Sequence, residues 1–393
     1  MKKIYIFLIT TLFSISGFSQ ITFEHTFDYS SDDEAISALE ISGGGYIVCG
    51  NVKDDANGDF DIFVSKFDAD GKEIWSEIYT SIGVDDDFAE YLIETSDGNY
   101  LICGSTSDEA SGDTDGFLLK ITTSGVEIFN ETYGVEGDDD IFYYITEITG
   151  GGLAVAGAST EGEEGFTDGW LALIDDDGTF IDEFFYGLNG NDEITTVIET
   201  DDEGLIMVGN SYDAVNGDVD GMLIKVDAEL AQEWIVFENT TADQFFNDLI
   251  ILENGDYLVV GALEDVVNGD MDMSLTRISS DGNTSVYSYV FDYMSGDDMA
   301  VNAYVDANDD IFISGFVEDT DNGDIDAYLA IIDADNGDII GDEIYGDIYD
   351  DYFNNFSFTA DNGFICVGKQ EDVNGEFDVY MVKTDENGDI NSV

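Results

Sequence analysis

One segment, acid-x-x-Asn-Gly-Asp-x-Asp with local variations, recurs seven times, its last aspartate standing at Asp61, Asp115, Asp168, Asp220, Asp272, Asp326 and Asp378. The copies lie 52 to 54 residues apart and fill the chain. A fixed period of this length means that one small unit is stacked on copies of itself, because each unit alone cannot bury its apolar face. Within a unit the order is constant. In the second, FAEYLIET leads through a tight SDGN turn to YLICGST, then through an acidic loop to GFLLKIT, a TSG turn and VEIFNETYG. The spacing predicts four short strands joined by tight, loose, tight and loose connections. Stretches such as LVVGA and IFISGF are continuously apolar, the pattern of strands covered on both faces. The expected fold is therefore all-β: a seven-bladed β-propeller of four-stranded antiparallel blades. A β-solenoid is the competing architecture.

The two ends bear on that choice. The last unit stops at GDINSV, short of a fourth strand, while ITFEHTF near the start resembles the fourth strand of other units. An N-terminal strand completing the last blade would close the ring and remove an exposed edge. Residues 1–19, with Lys2, Lys3 and an apolar run before Gly17 and Ser19, read as a secretory signal peptide. Residues 20–393 are expected to form one domain, secreted or periplasmic, with no membrane insertion and as a monomer.

Charge restricts the partners. Asp and Glu number 89 against 10 Lys and Arg, a formal net charge of −79. Such a surface repels nucleic-acid phosphates and attracts cations. It suits either a salty medium or specific metal binding, and composition does not choose between them. Cys49, Cys103 and Cys366 are expected to be small buried hydrophobes, since equivalent positions on neighbouring repeats lie too far apart for a disulfide.

The DD pairs, the GNYLICG-type hairpin, the loop ending in GDxD and the segment FVSKFDADGKEIW together resemble secreted bacterial β-propeller repeat proteins. The resemblance covers residues 21–393 and implies an exported repeat scaffold. Proteins of that kind often carry a type IX secretion sorting tail, which has no counterpart here, and most lack an established activity.

In a four-stranded blade the second-to-third loop shares a face with the loop leading to the next blade. Asp85 to Asp87, Asp138 to Asp140, Asp297 with Asp298, and Asp350 with Asp351 are thus expected beside the repeated acidic loops, gathering charge on one rim. Those loops supply oxygen donors of the kind Ca²⁺ prefers. The candidates are Asp54, Asn57, Asp59 and Asp61; Asp213, Asn216, Asp218 and Asp220; Asp265, Asn268, Asp270 and Asp272; and Asp319, Asn322, Asp324 and Asp326. The second unit has Ser111 in place of Asn, the seventh has Glu371 and Glu376, and the third has Phe166 where an aspartate is needed. The competing reading is structural, since Asn-Gly forms turns and Asp side chains brace backbone N–H groups within them.

Catalysis finds less support. His25 is the sole histidine and Arg277 the sole arginine, which disfavours a Ser-His-Asp arrangement and a sialidase-type arginine cluster. Trp75, Trp170 and Trp234 do not recur in every unit. No organic cofactor is expected. The functional expectation is a non-catalytic binding module whose acidic face engages cations and, through them, an extracellular glycan or protein. A structural or adhesive scaffold is the alternative, and a glycoside hydrolase working through paired carboxylates is a more distant one.

Overall fold

A computed structural model describes residues 20–390 apart from 55–57, 81–85, 108–111, 162–165, 189, 214–216, 239–240, 294–295, 307–308, 320–322 and 335; at 213 and 319 it describes only the backbone. Twenty-eight strands form seven four-stranded antiparallel sheets. Blade 1 runs outward through Asp33–Glu40, Tyr46–Lys53, Phe60–Phe67 and Glu73–Tyr79. The first strands of neighbouring blades touch all the way round, from blade 1 to blade 7 and back to blade 1. The ring is a seven-bladed propeller, not a solenoid.

Burial explains the continuous apolar runs. The second strand of blade 1, YIVCGNVK, is buried at every residue but the last. Seven clusters of buried side chains lie one at each blade junction. Each sheet is therefore one half of two cores, and no blade owns a core by itself. The fourth strands face outward and are largely exposed, as in Glu73–Tyr79. Cys49, Cys103 and Cys366 are free and buried, with no disulfide, and burial pushes the Cys49 thiol up to about 12.

The closing strand is where the sequence places it. Phe23–Phe27 pairs antiparallel with Phe377–Lys383, from Phe23 opposite Lys383 to Phe27 opposite Val379. His25 lies in this strand, stacked on Phe23. Every first strand also carries a bulge at the same place, between Ala35 and Ser37 in blade 1 and between Ala89 and Tyr91 in blade 2. The extra residue adds twist where seven strands converge. No helix among the described residues is long and apolar enough to cross a membrane.

Candidate cation-binding rim

The antiparallel order puts the second-to-third loop and the blade-to-blade connection on the same rim, and there the acidic doublets divide their work. The first member reaches back to the preceding blade. Asp86 Oδ1 accepts the N–H of Phe60 at 2.9 Å, Asp139 Oδ1 that of Thr114 at 3.1 Å, and Asp243 Oδ1 that of Val219 at 2.9 Å. Asp297 and Asp350 do the same for Met271 and Ile325, at 2.9 and 3.0 Å, and Asn191 for Thr167 at 3.2 Å. In each case the donor is the residue just before the repeat's last aspartate. One side chain thus stitches the loop to the next blade at six junctions, a role that the sequence pattern did not disclose, while at the seventh Asp32 pairs with Lys53 of its own blade at 3.0 Å.

The second member turns inward. Asp33, Asp87, Asp140, Asp192, Asp298 and Asp351 are all buried, and Gln244 takes this place in blade 5. Oδ2 accepts backbone N–H groups from the blade entrance: Tyr29 on Asp33 at 2.6 Å, Leu188 on Asp192 at 2.7 Å, Asp347 on Asp351 at 2.8 Å. Oδ1 of Asp33, Asp298 and Asp351 has no hydrogen-bond partner among the described residues. Burial, reinforced by neighbouring acids, raises Asp33 and Asp140 to about 6 and Asp298 and Asp351 to about 7.

Two of the four expected loop groups are assembled. One carboxylate oxygen from each of Asp54, Asp59 and Asp61 lies within 4.8 Å of the others, and Asp265, Asp270 and Asp272 do likewise. Oδ1 of Asp59, Asp270 and Asp272 is buried without a partner. Burial, then Asp59, Asp87 and Asp54, raises Asp61 to about 6, and Asp272 reaches a similar value through burial and Asp292. Asn57, Asn216 and Asn322, with the side chains of Asp213 and Asp319, lie outside the described residues. The remaining members, Asp218, Asp220, Asp324 and Asp326, are buried at the starts of their third strands, and Asp218 and Asp324 each keep an unpartnered Oδ1.

Turn bracing and spare oxygens coexist here. Asp265 Oδ1 accepts Val267 N at 2.8 Å, and Asn268 donates Nδ2 to Asp270 Oδ2 at 2.7 Å, so Asn268 serves as a brace. In blade 7 the turn is complete. Asp372 Oδ1 accepts Asn374 N at 2.6 Å and Glu376 N at 3.1 Å, and Oδ2 accepts Asn374 Nδ2 at 2.7 Å.

The structure also assembles two groups that the loop pattern missed: Asp28, Asp33 and Asp378, and Asp272, Asp292 and Asp298. Each draws on two blades, so no local motif contains it.

The expectation that charge gathers on one rim needs correction. Acids also fill the opposite turns, where Asp97, Asp202, Asp256 and Asp361 are held by Lys120, Lys225, Arg277 and Lys383. What separates the rims is the degree of neutralisation, since on the loop rim ion pairs form only beside the first blade, Lys53 with Asp32 and Lys369 with Glu34, among the described residues.

Down the axis, the bulged strands line a cavity of about 330 Å³ that includes Glu90, Tyr91, Tyr143, Tyr144, Asn302 and Asn355. Burial, with Glu34 and Glu193 nearby, raises Glu90 to about 8. An adjoining cavity includes Asp248, whose Oδ2 accepts Ala303 N at 3.1 Å. Tyr91 and Tyr144 stack at 4.1 Å between ring centres.

No protein-family model matches this chain, and no curated protein is significantly similar to it. Solved structures do match. BBS1N, in a crystal structure with ARL6DN, superposes with a TM-score of 0.53 at 7% identity, covering 95% of this chain and 99% of that one. Sqt1 from Chaetomium thermophilum gives 0.51 at 11% identity, covering 88% and 82%. Puromycin hydrolase gives 0.48 at 12% identity, and the chain spans only 51% of its length. The likenesses to BBS1N and Sqt1 speak for the fold alone.

Proposed function

We propose that this protein is an exported, non-catalytic binding module that takes up divalent cations in its Asn-Gly-Asp-x-Asp loops and through them engages an extracellular glycan or protein. The observation that carries the reading is the convergence of Asp54, Asp59 and Asp61, and of Asp265, Asp270 and Asp272, with buried oxygens that no protein donor satisfies. Such oxygens are costly unless something binds them. The donors are all oxygen, which favours Ca²⁺ over softer metals. An ion held by three carboxylates at a rim keeps positions open for sugar hydroxyls or a partner's carboxylate.

The test is thermal melting in EDTA and in CaCl₂ at constant ionic strength. Specific sites raise Tm with Ca²⁺ well beyond an equal ionic strength of NaCl, in the manner of ligand linkage. Equal shifts from both salts would leave screening as the sole effect and reject the reading. Asp54→Asn with Asp265→Asn should abolish most of the Ca²⁺-specific part.

The axial cavity favours a second reading, glycoside hydrolysis. A carboxyl raised to about 8 stays protonated at neutral pH, as a general acid must, and tyrosines line the same cavity. Release of nitrophenol from aryl glycosides, lost in Glu90→Gln, would establish it. Asp248 counts against it, because its oxygens are already engaged by Ala303, Asn302 and Thr196.

A further inference from the structure

The two groups that span a blade junction are built alike. In each, one acid stands at the start of a third strand (Asp378 or Asp272), one follows the outermost strand of the same blade (Asp28 or Asp292), and one begins or immediately precedes the first strand of the next blade (Asp33 or Asp298). One carboxylate oxygen from each of the three lies within 4.8 Å of the other two. Asp33 and Asp298 are 1% and 0% exposed. Their Oδ2 atoms are occupied, on Asp33 by Tyr29 N at 2.6 Å and Ser30 N at 2.7 Å, on Asp298 by Tyr293 N at 2.6 Å. Their Oδ1 atoms have no hydrogen-bond partner among the described residues, nor does the buried Oδ1 of Asp272. Among the described residues, no Lys or Arg forms an ion pair with Asp28, Asp33, Asp272, Asp298 or Asp378.

Three carboxylates this close, one of them sealed from water with an unsatisfied oxygen, are stable only with a cation or a proton among them. We propose that each junction group is a Ca²⁺ site that clamps the two blades it joins. At the junction of blades 7 and 1 the clamp acts on the seam of the ring. Asp28 directly follows Phe27, the end of the strand contributed by the N-terminal segment, and Asp378 lies in the strand with which it pairs. Nothing covalent holds that seam, so an ion there ties the two ends of the domain together.

The other junctions supply the control. The place of Asp28 and Asp292 is taken by Gly134, Gly187 and Gly346 in three of the other blades, and by Thr80 and Glu238 in the remaining two. A Cβ on Gly134 would stand 2.2 Å from Asp115 Oδ1 and 2.5 Å from Asp140 Oδ2, so there the two acids close over the backbone and leave no room for a third. Asp28→Gly and Asp292→Gly therefore install a residue that this fold already uses at that position.

The proposal shares with the loop reading above the choice of ion and, at Asp272, one ligand; calorimetric Ca²⁺ titration of the whole chain separates them through Asp28, Asp292 and Asp54, each of which belongs to one site alone. Asp28→Gly and Asp292→Gly should each lose one bound ion and the double variant two, while Asp54→Asn leaves both junction ions in place. Hydrogen exchange at residues 23–27 should slow at least about tenfold on adding Ca²⁺ in the parent and in Asp292→Gly, and stay fast in Asp28→Gly. Should Asp28→Gly fold poorly by circular dichroism, Asp28→Asn keeps the shape and removes the charge. Unchanged stoichiometry in both glycine variants, with the loop ions retained, overturns the clamp alone. Loss of ions in the glycine variants but not in Asp54→Asn overturns the loop site alone. A parent chain that binds no Ca²⁺ overturns both.

Discussion

Aspartates crowd both rims of the ring, but cations hold them at four turns of one rim, whereas on the other Lys53 holds Asp32 and most of the clustered acids face one another. Lys66, Lys120, Lys225, Arg277 and Lys383 share one repeat position, five residues after the last loop aspartate, and this carries them to the tight-turn rim. Lys225 is 3.2 Å from Asp202 and Lys383 is 3.0 Å from Asp361, each with its side chain nearly sealed. Asp97 and Asp202 sit below the ordinary carboxylate range through the hydroxyls of Thr95 and Thr200 and through Lys120 and Lys225. In Asp256 and Asp361 burial pulls upward, and bonds from Arg277, and from Thr359 and Lys383, outweigh it. Blade 6 breaks the pattern informatively. It has Ile331 in the cation's position, and there burial, Asp306, Asp333 and Asp309 push Asp310 up. The lesson is that a carboxylate's environment, more than its abundance, marks the rim that wants an ion.

The largest effect should come from pH. Asp33, Asp61, Asp272, Asp298, Asp351 and Asp378 have folded pKa values raised to about 6 or 7 against an ordinary value near 4. A raised carboxyl contributes stability that is present below its unfolded pKa and lost as pH rises through the folded one. In EDTA, melting from pH 5 to pH 8 should therefore show Tm falling by several degrees, on the order of a few kcal/mol for a chain of this size. Saturating Ca²⁺ should flatten that slope. A flat profile without metal would erase the contrast between the rims.

Next is Lys383→Met on the neutralised rim. It strands Asp361 and removes bonds to both its oxygens at 3.0 and 3.3 Å. With Asp361 partly open to water, the loss should be about 2 kcal/mol, below that of a fully buried pair. Urea unfolding measures it. Asp86→Ala should cost about 1 kcal/mol by freeing the Phe60 N–H from its charged acceptor, and added Ca²⁺ should not restore it if the doublet's first member is only a brace. The smallest change is a gain. Ile331→Lys gives blade 6 the cation of its neighbours and should stabilise by about 0.5 kcal/mol, with Asp310 returning toward the ordinary range by NMR titration.

Much of the fold was legible because repetition exposes it. The period of the Asn-Gly-Asp-x-Asp loops, the apolar second strands and ITFEHTF as a misplaced fourth strand all follow from local pattern. The loop groups around Asp61 and Asp272 were legible for the same reason, since their members lie within one short segment. The doublets were visible only as charge. That Asp86 braces Phe60 while Asp87 turns inward depends on which strand begins where, and both are aspartate.

By itself the sequence determined the number of blades, the strand order and the closing strand, because hydrophobic periodicity and turn residues act over a few neighbours. Tertiary structure alone decided that Asp28, Asp33 and Asp378 meet, since Asp28 and Asp378 stand at opposite ends of the domain until the ring closes. Electrostatic coupling falls off with distance through space, and distance along the chain does not measure it.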